Sequence, residues 1–337
     1  MWQKYMHSGS SGSLPYFVYT PVSYQVGMSV PLIVMLHGCT QTADAFATST
    51  RMNELAGQQQ FIVAYPQQTS SNNRSQCWNW FKPSNQARLY GEPALIAGIV
   101  REIEQSETRW TIDARRIYVA GLSAGAAMAT ILGATYPDLF AAIGIHSGLE
   151  YRAATNMIDG LGAMRKGGPD PLVQGQAAFA AMGLAARVVP VIAFHGTSDH
   201  LVNPVNGDKA VQQWLYTNRL ASQGTYVAAF NEPAHVETGR VEHGRAYKVY
   251  RWADTSGREV QEYWKVDGMG HGWSGGRSGS NYVDPQGPDA SLAMYQFFMR
   301  HPLSAQAEEG HALRERMRSI RERFLKRFQS PSPEPPS

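Results

Sequence analysis

A serine hydroxyl attacks a carbonyl only when a base takes its proton and the backbone delivers it on a sharp, exposed turn. Gly121-Leu122-Ser123-Ala124-Gly125 has the form G-x-S-x-G, preceded by the apolar run Arg116 to Ala120 and followed by a helical stretch ending near Tyr136. Strand, turn and helix in that order give the pattern a mechanical meaning that a bare match lacks. The glycines leave room for strained backbone, and a helix opening at Ala124 aims its first N–H groups at a developing oxyanion. Ser123 is the candidate nucleophile.

Its base and the acid that orients the base are expected downstream, as serine, then acid, then histidine. Asp199 closes the segment His195-Gly196-Thr197-Ser198-Asp199, directly after the apolar run Val189 to Phe194. His271 sits in Gly268-Met269-Gly270-His271-Gly272-Trp273, after the strand-like Val260 to Val266. Both loops fall at the C-terminal ends of predicted strands, the edge that carries Ser123. Asp208, Asp254 and Asp267 compete with Asp199, but Asp208 lies inside a predicted helix and Asp254 in the turn Ala253 to Gly257. His37, His146 and His195 each end a predicted strand and read as neutral rings bonded to backbone, while His235 and His243 lie in a polar, solvent-facing stretch.

A second oxyanion donor belongs in the loop after an earlier strand. Pro31 to Leu36 runs into His37-Gly38-Cys39-Thr40-Gln41, where Cys39 N–H is the first choice to act with Ala124 and Thr40 the second. The aromatic residues Trp78, Trp80, Phe81 and Trp273 lie near these loops. They are candidates to line an acyl pocket, with plain packing beneath the loops as the open alternative.

These residues need a frame. Short apolar runs at Pro31 to Leu36, Phe61 to Tyr65, Arg116 to Ala120, Ala141 to Ile145 and Val189 to Phe194 alternate with helical patterns near Ala43 to Gln59, Glu92 to Glu107, Ser123 to Tyr136 and Pro204 to Asn218. Val260 to Val266 adds a strand and Leu292 to Met299 a closing helix. The alternation predicts an α/β fold with a mostly parallel central sheet and helices on both faces. The interval 149–187 is too long for a plain connection and is read either as an excursion shaping the substrate site or as a surface insertion. Residues 1–13 read as a flexible segment, 14–303 as the catalytic domain and 304–337 as a charged, Pro-rich tail. In that tail Leu313, Met317, Ile320, Phe324 and Phe328 form an apolar helical stripe beside a basic face. It would either dock on an anionic surface or partner, or stand as a solvated helix.

Composition sets limits on function. Of 337 residues 43% are hydrophobic and 17% charged, with a net charge of +3, a balance that suits a buried core and gives no nucleic-acid signature. No run of 18 apolar residues predicts a membrane span, and the start Met1 to Leu14 lacks the apolar core of a leader, so the chain is expected to be soluble. The ten histidines form no HExxH, and the two cysteines, Cys39 and Cys77, have no CxxC partner. No metal or cofactor is expected, and at most one disulfide can form within the chain.

Five blocks in order, His37 to Gln41, Cys77 to Phe81, Gly121 to Gly125, His195 to Asp199 and Gly270 to Gly276, resemble the polyhydroxybutyrate depolymerase family of esterases. The catalytic domains of that family are similar to bacterial feruloyl esterases. The resemblance runs from about Leu14 to Leu303. It implies an α/β-hydrolase fold, cofactor-free hydrolysis of carboxylic esters by Ser123, Asp199 and His271, a Cys39–Cys77 disulfide and a secreted or periplasmic setting. It draws the substrate toward short hydroxyacyl esters, oligomers or polymer, with hydroxycinnamate esters as the alternative. The same triad would serve a peptidase or thioesterase, and a silent polymer-binding module is the reading from another class.

Overall fold

The computed structural model describes residues 1–305. The apolar stripe expected in the tail lies outside the described residues. In chain order the strands are β1 (Trp2–Gly9), β2 (Gly12–Tyr19), β3 (Ser29–Leu36), β4 (Ile62–Pro66), β5 (Thr111–Leu122), β6 (Ala142–His146), β7 (Val191–Gly196), β8 (His235–Arg240), β9 (Ala246–Ala253), β10 (Glu259–Val266), β11 (Trp273–Ser274) and β12 (Val283–Asp284). The helices are α1 (Ala43–Thr50), α2 (Met52–Gln59), α3 (Gly91–Glu104), α4 (Ala124–Thr135), α5 (Met157–Lys166), α6 (Pro171–Met182), α7 (Val205–Ala221) and α8 (Ala290–Met299).

Ten strands form one sheet in the order β1-β2-β4-β3-β5-β6-β7-β10-β9-β8. From β4 to β10 neighbouring strands are parallel. Antiparallel pairs extend the sheet at both ends. This is the α/β-hydrolase fold. The central strands are apolar where both faces are covered, as in β3 from Val30 onward and β5 from Ile117 to Leu122, with alternate residues entering different cores. On β3, Leu32, Val34 and Leu36 enter a core shared with α3, α4, α6 and α7, while Ile33 and Met35 enter one shared with α1, α2 and α8.

Three expectations need correction. Residues 1–13 are not a flexible segment: Trp2–Gly9 is an edge strand paired along its length with β2. Trp2 stacks on Phe17 at 5.2 Å and Tyr5 on Tyr16 at 5.3 Å, so ring pairs across strands supply what the polar sequence does not. The helix expected over Ala43 to Gln59 breaks at Arg51, whose φ is 57°. The break leaves the carbonyl groups of Ser49 and Thr50 to accept from Arg277 N–H and the Ser291 hydroxyl. Within 149–187, α6 proves to be the crossover helix between β6 and β7, lying against α4 and α7. There Gly175 fits closely beside Tyr216. The segment holding His235 is solvent-facing as expected, and it also forms an edge strand, β8, which the polar pattern did not signal.

Glu150 stands at the start of that 149–187 interval, 2% exposed, with no hydrogen-bond partner for either carboxylate oxygen. Burial lifts its pKa from 4.5 to about 8, against a smaller opposing pull from the Lys209 ammonium. The folded chain therefore keeps a proton that the unfolded chain releases above about pH 4.5, and stability from this group falls as pH rises toward 8. Glu150→Gln removes the titration. Unfolding by urea at a series of pH values should show the variant gaining more than about 1 kcal/mol on wild type between pH 5 and 9; parallel profiles would refute a neutral Glu150.

Candidate active site

Strand β5 ends at Leu122 and α4 begins at Ala124, so Ser123 makes the whole reversal, at φ 58° and ψ −119°. Two glycines permit it. A Cβ at Gly121 would collide with the Gly125 backbone, and a Cβ at Gly125 would collide with the carbonyls of Leu36 and His37 at the end of β3. The motif therefore needs both glycines for space, and that close approach sets the first turn of α4 against the loop after β3. Gly38 in that loop faces the serine: a Cβ there would lie 3.6 Å from Ser123 Cβ.

The amide groups of the loop are sorted by their partners. Gly38 N–H donates to Gln41 Oε1 at 2.9 Å, and Thr40 N–H donates to Ser75 O at 2.7 Å. Thr40, the second choice for an oxyanion donor, is thereby ruled out in this conformation, because its amide is already engaged. Cys39 N–H has no partner among the described residues, nor does Ala124 N–H. The Cys39–Cys77 disulfide joins this loop to the segment after β4 across 38 residues of sequence. Glu92, near the start of α3, fixes the same segment by accepting from Gln68 Nε2 at 2.6 Å and from Asn79 N at 2.8 Å.

Asp199 and His271 come together as the chain order predicts. His271 Nδ1 lies 2.8 Å from Asp199 Oδ2, while Asp199 Oδ1 accepts the N–H groups of Leu201 and Val202 at 2.9 and 2.8 Å. Burial opposes ionisation of Asp199, but hydrogen bonds from His195 and His271 outweigh it and hold the carboxyl well below the usual carboxylate range. An ionised Asp199 requires the proton on His271 Nδ1, which leaves Nε2 as the basic nitrogen.

The three strand-end histidines are the backbone-bonded rings expected of them. His37 Nε2 accepts Gln68 N–H at 3.0 Å, His146 Nε2 accepts Ser274 N–H at 3.0 Å, and His195 Nε2 donates to Val202 O at 2.9 Å. Burial lowers His37 to about 4 and His146 well below the ordinary histidine value.

The tryptophans are a correction. Trp78 and Trp273 are fully buried and Trp80 is 5% exposed. Trp78 Nε1 donates to His37 O and Trp273 Nε1 to Ser291 Oγ, so these rings carry the loops from beneath and present no face to a substrate. Two residues of the site had no role in the sequence reading. Gln41 fixes Gly38, and Tyr282 stands edge-on to His271 at 6.3 Å with its hydroxyl 3.4 Å from Thr40 Oγ1. The only signal for Tyr282 was an aromatic residue inside a Gly/Ser/Asn-rich loop.

The family model described as esterase PHB depolymerase matches residues 14–232, more than half of the chain. Poly(3-hydroxyalkanoate) depolymerase C of Paucimonas lemoignei is 36% identical over 263 residues, which are 77% of this chain and 59% of that protein. Feruloyl esterase B of Neurospora crassa is 30% identical over 204 residues, 58% of this chain and 68% of that protein. The chain thus spans about three fifths of the length of the first of these relatives. Among solved structures, an acetyl xylan esterase from Aspergillus awamori superposes with a TM-score of 0.70 at 20% identity, covering 89% of this chain and 99% of its own. That likeness supports the fold. Among the described residues no helix is long and apolar enough to cross a membrane.

Opposite outcomes are expected at two glycines. Gly125→Ala should lower unfolding stability by about 1–3 kcal/mol or prevent folding, because its Cβ meets fixed backbone. Gly162→Ala, on α5 with open space around it, should be neutral or add about 0.5–1 kcal/mol. Urea midpoints measure both; an unperturbed Gly125→Ala would show that α4 does not need this close approach.

Proposed function

The chain belongs to the esterase PHB depolymerase family, and on that premise we propose that it hydrolyses carboxylic esters through an acyl-enzyme formed on Ser123. The Asp199–His271 hydrogen bond is the observation that carries the reading, since it presents a basic Nε2 on the edge where the strained turn holds Ser123. His271 Nε2 takes the Ser123 proton as Oγ bonds to the ester carbonyl carbon. The carbonyl oxygen gains the negative charge and is held by the N–H groups of Cys39 and Ala124. Collapse breaks the bond to the alcohol oxygen, which leaves with the proton from His271 Nε2. Water then attacks the acyl-enzyme by the same route and frees the acid and Ser123. Asp199 stays ionised throughout, holds the ring tautomer and stabilises the imidazolium.

The proposed substrates are short-chain or hydroxyacyl esters, with 3-hydroxybutyrate oligomers or polymer first and hydroxycinnamate esters second. The first is supported by the depolymerase relative, the second by the feruloyl esterase relative. In the interval 149–187 the charged residues Arg152, Arg165, Lys166 and Asp170 interrupt the exposed apolar side chains of Ile158, Leu161, Leu172 and Val173.

Purified Ser123→Ala should lose hydrolysis of p-nitrophenyl butyrate while keeping its fold, and His271→Ala should do nearly the same. Asp199→Asn should cost about 10⁴-fold in kcat through the wrong imidazole tautomer. Substantial turnover by Ser123→Ala would end the assignment. Across p-nitrophenyl esters from C2 to C16, kcat/KM should peak at short chains; a maximum at C12 or beyond refutes the short-acyl reading. Methyl ferulate outrunning hydroxybutyrate oligomers by about tenfold or more would favour the second substrate class.

A further inference from the structure

Beside the site lies a cleft of about 740 Å³, walled on one side by Thr40, Asp44 and Thr48 and on the other by Ser280, Asn281 and Tyr282. Tyr282 belongs to both the cleft and the candidate active site. Its ring is edge-on to His271, its hydroxyl reaches Thr40, and it remains 40% exposed. Its backbone is held at φ 55°, an uncommon conformation for a bulky residue. Two contacts fix it there: Tyr282 O accepts Trp273 N–H at 2.8 Å, and the backbone packs so closely on Gly272 that a Cβ there would fall 2.8 Å from the Tyr282 carbonyl carbon. The segment carrying Tyr282 is therefore fastened to the loop of the catalytic histidine, and strain of this kind persists where surrounding structure imposes a position.

We propose that this cleft receives the alcohol portion of the ester, that Tyr282 positions it, and that the site favours neutral, hydroxyl-bearing alcohols over a leaving group whose free carboxylate enters the cleft, so that hydroxybutyrate oligomers are cut at bonds remote from their carboxyl end. The inference rests on the esterase reading above. Its chemical ground is the proton that His271 returns: the leaving oxygen must lie within reach of the imidazole, so the alcohol departs on the His271 side. Tyr282 borders that side, and Thr40 ties it to the opposite wall. Hydroxyl and amide groups of Thr40, Thr48, Ser280, Asn281 and Tyr282 offer donors and acceptors to a hydroxyl-bearing group. Asp44 is the charged side chain among the lining residues, and it repels an anionic leaving group.

The test compares esters that share one acyl group: ethyl butyrate, glyceryl monobutyrate, and the butyryl ester of 3-hydroxybutyrate with its carboxylate free. Wild type should favour the glyceryl over the anionic ester by about tenfold or more in kcat/KM. Tyr282→Ala should cut the glyceryl-to-ethyl ratio at least about fivefold, and Tyr282→Phe about two- to threefold, through loss of one hydroxyl contact. Asp44→Asn should narrow the glyceryl-to-anionic ratio about two- to fivefold at low salt, an effect that 1 M NaCl removes. If Tyr282→Ala misfolds, Tyr282→Phe and Asp44→Asn still decide. Ratios unchanged in the variants while all rates fall together would assign Tyr282 a structural role and overturn the proposal, as would equal use of the anionic and glyceryl esters by wild type. A wild-type chain inert toward ethyl and p-nitrophenyl butyrate alike would sink the esterase reading instead.

Discussion

The first turn of α4 touches the carbonyls at the end of β3 with nothing between them, because Gly125 has no side chain. That single backbone approach fixes several things together. It sets how far α4 slides along the sheet, and so where Ser123 stops; it sets how the chain leaves β3, and so where Gly38 and Cys39 face. The proposed nucleophile and the candidate oxyanion loop are thus positioned by one contact between two rigid elements, which is more accurate than two loops meeting by side chains. The Cys39–Cys77 disulfide then fastens the far side of the same loop to the segment after β4, and the Glu92 carboxylate ties that segment to α3.

A second regularity lies in three histidines that the proposed chemistry does not consume. His37, His146 and His195 end β3, β6 and β7, and each bonds backbone of a different loop: the segment after β4, the segment just past His271, and the segment just past Asp199. A buried imidazole can accept an N–H only when neutral, and desolvation keeps His37 and His146 in that state. His195 adds a contact at 3.4 Å to the carboxylate that orients His271. The rings work as scaffold because they combine an apolar body with a placed polar atom. His146 stacks on Trp273 at 4.9 Å and on Phe194 at 5.5 Å while its Nε2 holds Ser274.

Three buried carboxyl groups show how surroundings set chemistry. Asp199 receives hydrogen bonds from two histidines and two backbone amides and stays ionised. Glu92 is also donated to on both oxygens, yet burial still pushes its pKa up. Glu150 has no donor among the described residues and is the group whose proton is held near neutral pH. Residue type alone predicts none of this, since donors brought from distant parts of the chain decide it.

By itself the sequence determined the elements whose signal is local. Most parallel strands carry apolar runs where both their faces are buried, and the Gly-Leu-Ser-Ala-Gly turn is marked by glycines at positions where a side chain would meet backbone. The order of Ser123, Asp199 and His271 then followed from which strand ends carried a suitable side chain. Tertiary structure decided what depends on contacts between segments far apart in sequence. The rings of β1 stack on Phe17 and Tyr16, and where the helix after β3 breaks at Arg51, Arg277 and Ser291 satisfy its last carbonyls. Trp78 and Trp273 look like pocket residues by position, yet their indole N–H groups find partners only under the loops. Thr40 lost its amide to Ser75, and Tyr282 gained a place beside His271, through pairings that no local pattern encodes. Short-range propensity and periodicity are written in neighbouring residues; hydrogen-bond partnership and burial belong to the folded chain.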